Sequence, residues 1–440
     1  MSTITYPGNA PGIVYGGGVY DGSAIGTPFI FSGENIQPRS GLNSEIRVNF
    51  TGTQIEMRVY GSGTFTWTVD GGATQNNTPS GGMQWITLAT GLSDTTHTLV
   101  VKPLGDYMGY DSLFRVTGSA PALSTPSGYA GTQFNFNSSG CTRDNSSYLS
   151  GTVEGYTNLQ TRGSLRFKAT TTTILVWNRY DVNSPLGLAI DDDPTTIVRA
   201  SPSSGWGWTA FTGLDGGAEH SYRLIVPNGV YVWNIMASGF NTTALTAWPA
   251  DYWQGDSITA ASNITDGDAA PNWTIWYAIK AKRGWQIEGT PGGTAATQGI
   301  AQDTHPGTAS PTPDRVILAW GRNDDSGTSI PTWNSAITTI ITQIHSDLPT
   351  TNVVWLGIFD TSSVTSTRGT YNTNLSSTIA TFGSSYVTYL STDGTGTVTT
   401  GDGTHPDAAG AAVIGAYLFS NLPSGATPTD NYFYIFPHNF

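Results

Sequence analysis

Apolar and polar positions alternate in short runs along roughly the first half of the chain, and glycine-rich turns separate the runs. Residues 55–60 break off at Gly61, and residues 65–69 alternate before the turn Asp70-Gly71-Gly72. A period of two that ends at Asp-Gly is typical of half-buried strands joined by hairpins. The front half is therefore predicted to be antiparallel β-structure.

The phrases of this front half return about 120 residues later, which indicates an internal repeat. Residues 85–92 correspond to residues 208–214, and each segment is followed by a histidine and an apolar run. Such repetition indicates two copies of one structural unit. We therefore predict two homologous antiparallel β-sandwich modules, jelly-roll-like, over residues 1–122 and 128–242.

Several side chains of the repeated region are candidates for binding. Trp206 lies on a Gly-Ser loop without a counterpart in the first module, so it is the candidate for stacking on a sugar ring. Asp191-Asp192-Asp193 is a candidate for calcium, but it matches the turn Asp70-Gly71-Gly72, which favours a solvated hairpin. His97 and His220 recur at one strand start, which favours a repeated structural role over metal binding.

Beyond residue 241 the pattern changes, because apolar runs now alternate with helix-like stretches. This order predicts a parallel sheet with crossover helices, in a third domain over residues 245–440. The predicted strands cover residues 244–253, 285–288, 316–320, 353–359 and 387–390. The predicted helices cover residues 273–282, 333–344 and 408–421. In such sheets, functional groups collect where the strands end.

Four polar signatures stand at the ends of these predicted strands. They are Gly255-Asp256-Ser257 and residues 289–294, 321–324 and 402–406. Together, in this order and at this spacing, they resemble the SGNH, or GDSL-type, hydrolase family over about residues 245–425. The resemblance implies an α/β hydrolase domain whose parallel sheet is flanked by helices.

A serine becomes a nucleophile when a base takes its proton and a third group orients that base. The chain offers Ser257 and His405, and Asp402 stands three residues before His405, close enough within one turn to hold the imidazole. The resemblance implies that these three residues form a catalytic triad. It also implies an oxyanion hole made by the backbone N–H groups of Ser257 and Gly292 and by the side chain of Asn323.

The identity of the glycine that donates its backbone N–H to the oxyanion stays open. The second block of the family often reads Asn-x-Gly-x-x-Gly-x-Thr, but Ile287 stands here in place of the asparagine. The spacing of the glycines favours Gly292 as the donor. Gly289 and Gly293 remain alternatives.

Two further residues near these blocks have competing interpretations. Arg322 stands where the family often has a small residue, and it either contacts an acidic or polar substrate or pairs with Asp324 or Asp325. His305 lacks an aspartate three residues before it and lies in a proline-rich stretch. We expect His305 to face solvent without a catalytic role.

Composition narrows the class of protein. The formal net charge of −13 argues against nucleic acid and against anionic membranes as partners. Only 11% of the residues are charged, whereas 14 Trp, 20 Tyr and 16 Phe supply apolar area for a core, as in extracellular or virion-associated β-rich proteins. Cys141 is the one cysteine, so we expect neither a disulfide nor a cysteine metal site. The sequence shows no secretory signal and no membrane-spanning run.

Sandwich modules ahead of such a hydrolase resemble carbohydrate esterases of the acetylxylan-esterase kind. That resemblance implies the removal of O-acetyl groups from a polysaccharide or glycan, without a metal or an organic cofactor. One alternative is a general short-chain esterase or lipase-like acyl hydrolase. The other is a carbohydrate-binding adhesin or virion protein, such as a phage tail component, with an inactive hydrolase domain. The glycan, the acetyl position and the oligomeric state stay open.

Overall fold

Antiparallel sheets fill the first part of the chain, and a parallel sheet fills the last part. This order confirms the predicted change of architecture. The computed structural model describes residues 1–7, 10, 12–16, 19–21, 36–38, 45–103, 108–129, 132–135, 140–143, 163–180, 185–201, 205–226, 230–243, 245–246, 248–259, 272–290, 292–309, 312–325, 327–361, 367–383 and 385–422.

In the first region, hydrogen bonds join the strands into one ten-stranded sheet. Its strands are β1 (Ser2–Pro7), β2 (Ile13–Gly16), β3 (Val19–Asp21), β4 (Ile36–Pro38), β5 (Glu45–Gly61), β6 (Phe65–Val69), β7 (Gln75–Asn77), β8 (Met83–Pro103), β9 (Met108–Gly118) and β10 (Ala122–Ser124). Strands β5 and β8 pair with each other along almost their whole length. The strands that were predicted to form a jelly-roll-like β-sandwich thus lie in one hydrogen-bonded sheet.

An irregularity in β5 explains how a single sheet encloses a core. Buried positions alternate as Val48 and Phe50 before the register shift at Gly52, and as Ile55 and Met57 after it. The shift offsets the alternation by one position, so the even-numbered apolar residues before it and the odd-numbered ones after it face one core.

The second region has two sheets that face each other. Its strands are β11 (Thr132–Asn135), β12 (Thr142–Arg143), β13 (Gly163–Ala169), β14 (Thr173–Tyr180), β15 (Leu186–Ile190), β16 (Asp193–Ala200), β17 (Gly205–Thr212), β18 (His220–Val226) and β19 (Val230–Ala237). One sheet has the order β11-β19-β14-β17 and the other β12-β13-β18-β15-β16. Phe167 and Leu224 of one sheet share a buried cluster with Val176 and Ile235 of the other, as in a sandwich.

One turn occurs at matching places in the two antiparallel regions. Asp70 has φ +52°, its carboxylate lies 2.6 Å from Nδ1 of His97, and it accepts the N–H of the next residue along that strand. Asp191 has φ +53° and makes the corresponding contacts with His220 and the residue after it. The two histidines therefore have the same structural role. Among the described residues, no group of three or more His, Cys, Asp and Glu is placed to hold a metal ion.

The last region is a parallel sheet with helices on both faces. The strands are β20 (Ala250–Asp256), β21 (Gly284–Thr290), β22 (Arg315–Ala319), β23 (Asn352–Leu356) and β24 (Val387–Leu390), in the order β21-β20-β22-β23-β24. The helices are α1 (Trp273–Lys280), α2 (His305–Thr308), α3 (Ile330–Asp347), α4 (Arg368–Ile379) and α5 (Ala408–Asn421). A π-helical turn covers Ala295–Gly299, and a 3₁₀ turn covers Asp393–Thr395.

Element boundaries differ from the prediction for local reasons. The first strand begins at Ala250 and not at residue 244, since Pro249 has no N–H for the sheet. Helix α3 begins earlier than predicted, because the Ser329 side chain accepts the N–H of Thr332 and caps it. Helix α4 was not predicted, since its polar sequence carries no clear apolar period. No helix in the described parts of the chain has the length and apolar character needed to cross a membrane.

The alternation of side chains along β20 divides the core into two layers. Trp253 packs in a cluster with the apolar faces of α1 and α5, and Tyr252 packs in a second cluster with α3 and α4. Since both faces are covered, β20 is buried along its whole length. The central strand that leads into Ser257 is thus fixed from both sides.

The second antiparallel region packs against the parallel sheet near the amino ends of its strands. The buried guanidinium of Arg223, on β18, donates to the carbonyl oxygen of Ala278 at 3.2 Å and to that of Arg283 at 2.7 Å. It also lies 4.0 Å from the ring of Trp285. Ala189, on β15, belongs to the same buried cluster as the apolar face of α1, so this core continues from the parallel sheet into the second antiparallel region. The carboxyl ends of the strands face away from this contact.

Candidate active site

The parallel pairing brings three of the four polar signatures to one edge of the sheet. Strand β20 lies between β21 and β22, and Gly255 pairs with Gly289 on one side and with Ala319 on the other. A Cβ at Gly255 would lie 2.7 Å from the carbonyl oxygen of Ala319, so glycine allows the two strands to approach here. The segments that follow the three strands therefore begin side by side.

The structure brings Ser257, His405 and Asp402 together. Nε2 of His405 lies 2.9 Å from Oγ of Ser257, although the two residues are 148 positions apart. Nδ1 of the same ring lies 2.6 Å from Oδ2 of Asp402. A carboxylate only accepts hydrogen bonds, so Nδ1 carries the hydrogen and leaves Nε2 of the neutral ring as an acceptor. The imidazole is thus oriented to take the proton of the hydroxyl.

The loop that carries Asp402 and His405 is locally determined. Oδ1 of Asp402 accepts the N–H of Thr404 at 2.9 Å and that of His405 at 2.7 Å, which closes the turn on itself. Gly403 has φ +87°, a conformation that glycine adopts without strain. Asp407 then caps α5 by accepting the N–H of Gly410. The three-residue spacing therefore builds the pair without help from distant parts of the chain.

The three side chains differ in exposure. Ser257 is 7% exposed, the His405 side chain 13% and the Asp402 side chain 38%. Ser257 therefore lies just below the surface, and the carboxylate of Asp402 is partly exposed to water.

Contacts with the start of α1 hold the turn that follows Ser257. The buried amide of Asn272 donates to the carbonyl oxygen of Thr259 at 2.9 Å, and the indole N–H of Trp273 donates to that of Ile258 at 3.1 Å. These bonds fix the backbone directly after Ser257.

The second and third signatures meet at Asn323. Its side-chain N–H donates to the carbonyl oxygen of Gly293 at 2.9 Å. Gly289 remains paired within the sheet, whereas Gly292, at φ +71°, lies in the exposed turn beyond the strand. An amide side chain and a backbone turn thus lie next to each other at the carboxyl end of β21. Among the three glycines, Gly292 remains our preferred donor.

The two substrate-binding candidates have different outcomes. Nη1 of Arg322 donates to Oδ1 of Asp325 at 3.1 Å, and only 12% of the arginine side chain is exposed. This ion pair is one of the two alternatives that the sequence left open. The side chain of Trp206 lies outside the described residues, so its role stays a prediction.

The sequence did not reveal that the carboxylate next to Ser257 is buried. Asp256 is 1% exposed, and burial raises its pKa to about 7, although bonds from the N–H groups of Ile258 and Arg322 oppose the rise. Asp324 is also buried, and burial raises its pKa, although its carboxylate accepts the N–H of Ala295. Both acids connect neighbouring turns of the site.

His305 has a partner that the sequence did not indicate. Its Nδ1 lies 2.6 Å from Oε1 of Glu288, and 48% of its side chain is exposed. The other oxygen of Glu288 accepts the hydroxyl of Tyr252 at 2.6 Å and the amide of Gln254 at 3.1 Å. His305 is therefore solvent-facing as expected, but it belongs to a polar network on β20 and β21.

Solved structures with a similar fold include two enzymes of acyl chemistry. The salicylyl-acyltransferase SsfX3 from a tetracycline biosynthetic pathway is 12% identical, with a TM-score of 0.52, over 67% of this chain and 99% of that one. The acetyl xylan esterase Est2A from the rumen bacterium Butyrivibrio proteoclasticus is 13% identical, with a TM-score of 0.51, over 67% and 98%. No family model and no curated protein matches the chain. The fold implied by the sequence resemblance is confirmed by these structures.

Proposed function

We propose that this protein is a serine esterase that removes O-acetyl groups from a polysaccharide or glycan. The observation that carries the proposal is the unbroken chain of contacts from Asp402 through His405 to Ser257, at 2.6 and 2.9 Å. Such a chain activates a hydroxyl for acyl transfer.

In the first half of the reaction, Oγ of Ser257 attacks the acetyl carbonyl carbon while Nε2 of His405 takes the hydroxyl proton. Asp402 stabilises the imidazolium that forms. The N–H groups of Ser257 and Gly292 and the amide of Asn323 donate to the developing oxyanion, and the loss of one such donor costs about 3 kcal/mol. The ester bond to the sugar oxygen then breaks, and His405 returns the proton to the leaving alcohol.

In the second half, water takes the place of the alcohol. His405 removes a proton from the water as its oxygen attacks the acetyl-enzyme carbonyl. The bond to Oγ of Ser257 breaks, the serine regains its proton and acetate leaves. Apart from the substrate and this water, each step uses only side-chain and backbone groups of this chain.

Several features support a glycan as the alcohol component. The net charge of −13 and the low charged fraction suit an uncharged polymer better than a polyanion. Two antiparallel regions precede the proposed hydrolase domain, and we propose that they form modules over residues 1–122 and 128–242 before a domain over 245–440. Within the second module, Trp206 is our candidate for stacking on a sugar ring. A solved protein of similar fold is named an acetyl xylan esterase. We further propose an extracellular or virion-associated location.

A substrate panel tests the proposal. We expect rapid acetate release from acetylated xylan or O-acetylated sialic acid, and little hydrolysis of p-nitrophenyl esters longer than butyrate. Efficient turnover of long-chain esters would instead favour a lipase-like hydrolase. Glycan binding by the wild type without any turnover would favour an adhesin.

A pair of serine variants tests the nucleophile within the same panel. Ser257→Ala is expected to lower kcat/KM by at least about 10³-fold. The matched control is Ser420→Ala, which removes an exposed hydroxyl bonded only within α5. Unchanged acetate release by Ser257→Ala would show that the catalytic assignment is wrong.

A further inference from the structure

Asp256 connects the turn that carries the nucleophile to the turn that carries Asn323. Its Oδ1 accepts the N–H of Ile258 at 3.0 Å, directly after Ser257. Its Oδ2 accepts the N–H of Arg322 at 3.2 Å, directly before Asn323. One buried carboxylate thus bridges the ends of β20 and β22.

We propose that Asp256 is a positioning residue, whose carboxylate holds Ser257 and the Asn323 amide in the relative geometry that acyl transfer requires. The proposal rests on the proposed function, since it assigns a geometric task within the same site. Asp256 itself does not need to contact the substrate.

The bonding pattern requires a carboxylate rather than its neutral relatives. Both oxygens face backbone N–H donors, so both must accept. An asparagine at this position keeps one acceptor and turns an NH₂ group toward the other N–H. A protonated acid likewise keeps one good acceptor and gains a hydrogen on the other oxygen. Either change weakens one of the two bonds and lets the turns separate.

The carboxylate of Asp256 is buried. It lines a small pocket together with Ala319, Trp320 and residues 357–359, at the carboxyl ends of β22 and β23. The charged groups that act on it are Arg322, which favours the carboxylate, and Asp324, which opposes it. Burial outweighs the stabilising contacts and raises the pKa of Asp256 to about 7. Protonation of Asp256 therefore weakens the bridge as the pH falls below this pKa.

The experiment compares two aspartates that bridge the same pair of strands at opposite ends. Asp314 accepts the N–H of Ala250 at 2.6 Å at the amino end of β20, far from Ser257. We expect Asp256→Asn to lower kcat for acetate release about 10- to 100-fold with KM within about two-fold, since misplaced groups slow the chemical step. Asp314→Asn is expected to keep kcat within about two-fold. Wild-type kcat in folded Asp256→Asn would overturn the proposal.

The pH profile separates positioning from a general structural role. In the wild type, activity requires a neutral His405 and an ionised Asp256, so the acidic limb of kcat/KM should contain two ionisations. In Asp256→Asn, only the ionisation of the general base, His405, should remain. Two ionisations in the variant would contradict the proposal. If Asp256→Asn does not fold, the acidic limb of the wild-type kcat/KM profile provides the test. A single ionisation in that limb contradicts the proposal.

A failure of the proposed function is visible separately. It appears as no turnover by the wild type, or as undiminished turnover by Ser257→Ala, and either result removes the basis of this inference as well. Full activity of Asp256→Asn beside an inactive Ser257→Ala would contradict only the role of Asp256.

Discussion

His97 in the first antiparallel region and His405 beside Ser257 are each held by an aspartate in nearly the same way. In both pairs Nδ1 lies 2.6 Å from Oδ2 of the aspartate, and Oδ1 accepts a backbone N–H. The pairs differ at the other ring nitrogen. Nε2 of His97 lies 2.9 Å from the carbonyl oxygen of Ser93, whereas Nε2 of His405 lies 2.9 Å from the hydroxyl of Ser257.

The partner of Nε2 decides what each pair can do. A carbonyl oxygen only accepts, so both nitrogens of His97 carry hydrogens and the ring is best satisfied as a cation. Burial works against that cation, but the bonds to Asp70 and Ser93 outweigh it and raise the pKa of His97. A hydroxyl can donate, so His405 can remain neutral and act as a base. Whether an aspartate–histidine pair is structural or reactive thus depends on the atom that contacts Nε2 of the histidine.

The largest expected effect comes from removing the imidazole of His405, and removing the imidazole of His97 provides the comparison. His405→Ala should lower kcat/KM by about 10⁴-fold or more, with little loss of stability, because it removes the base. His97→Ala should leave kcat/KM within about two-fold and lower the free energy of unfolding by about 1 kcal/mol. Ester hydrolysis and urea unfolding measure the two effects. Comparable activity losses in both variants would contradict the distinction.

A smaller effect is expected from neutralising the aspartates. Asp402→Asn should lower kcat by about 10²- to 10⁴-fold, since the amide no longer fixes the tautomer or stabilises the imidazolium. The matched change Asp191→Asn, next to His220, should alter stability but not kcat. Steady-state kinetics with p-nitrophenyl acetate provides the measurement. Activity that is retained in Asp402→Asn would show that the orientation of His405 depends on other contacts.

The smallest effect concerns stability against pH. The pKa of His97 and that of His220 are both raised by their aspartates, so the stability from these pairs is complete below about pH 6.5 and is lost as pH rises through the raised values. The double variant His97→Gln/His220→Gln should therefore differ most from the wild type near pH 5–6, by at most a few degrees in Tm. Calorimetry from pH 5 to 9 measures the difference. A gap that widens toward pH 9 would contradict this assignment.

Local patterns in the sequence were sufficient for parts of the site. The spacing of Asp402 and His405 predicts their contact, because one tight turn brings the two side chains together. The meeting of His405 with Ser257 required the order of the strands, which the family resemblance implied. Arg322 had two stated alternatives, and the contact with Asp325 agrees with one of them.

Other features depend on distant parts of the chain and left no local signal. The bond between Asp256 and Arg322 spans 66 positions and depends on the pairing of β20 with β22. His305 was expected to face solvent without a catalytic role, and its contact with Glu288, which belongs to another element, left no local signal. The register between β5 and β8 shifts twice within the sheet of the first region, and strand pairing of this kind is not visible in one strand's sequence.

The contact of Arg223 with the far end of the sheet restricts how this protein can be dissected. A shortened chain that starts at residue 245 would expose the ring of Trp285 and leave the carbonyl oxygens of Ala278 and Arg283 without this guanidinium. Since β20 has seven residues, about 20 Å separate that boundary from the reactive edge. The second antiparallel region thus covers the far end of the parallel sheet, and replacing it with an unrelated domain should lower solubility before it alters activity.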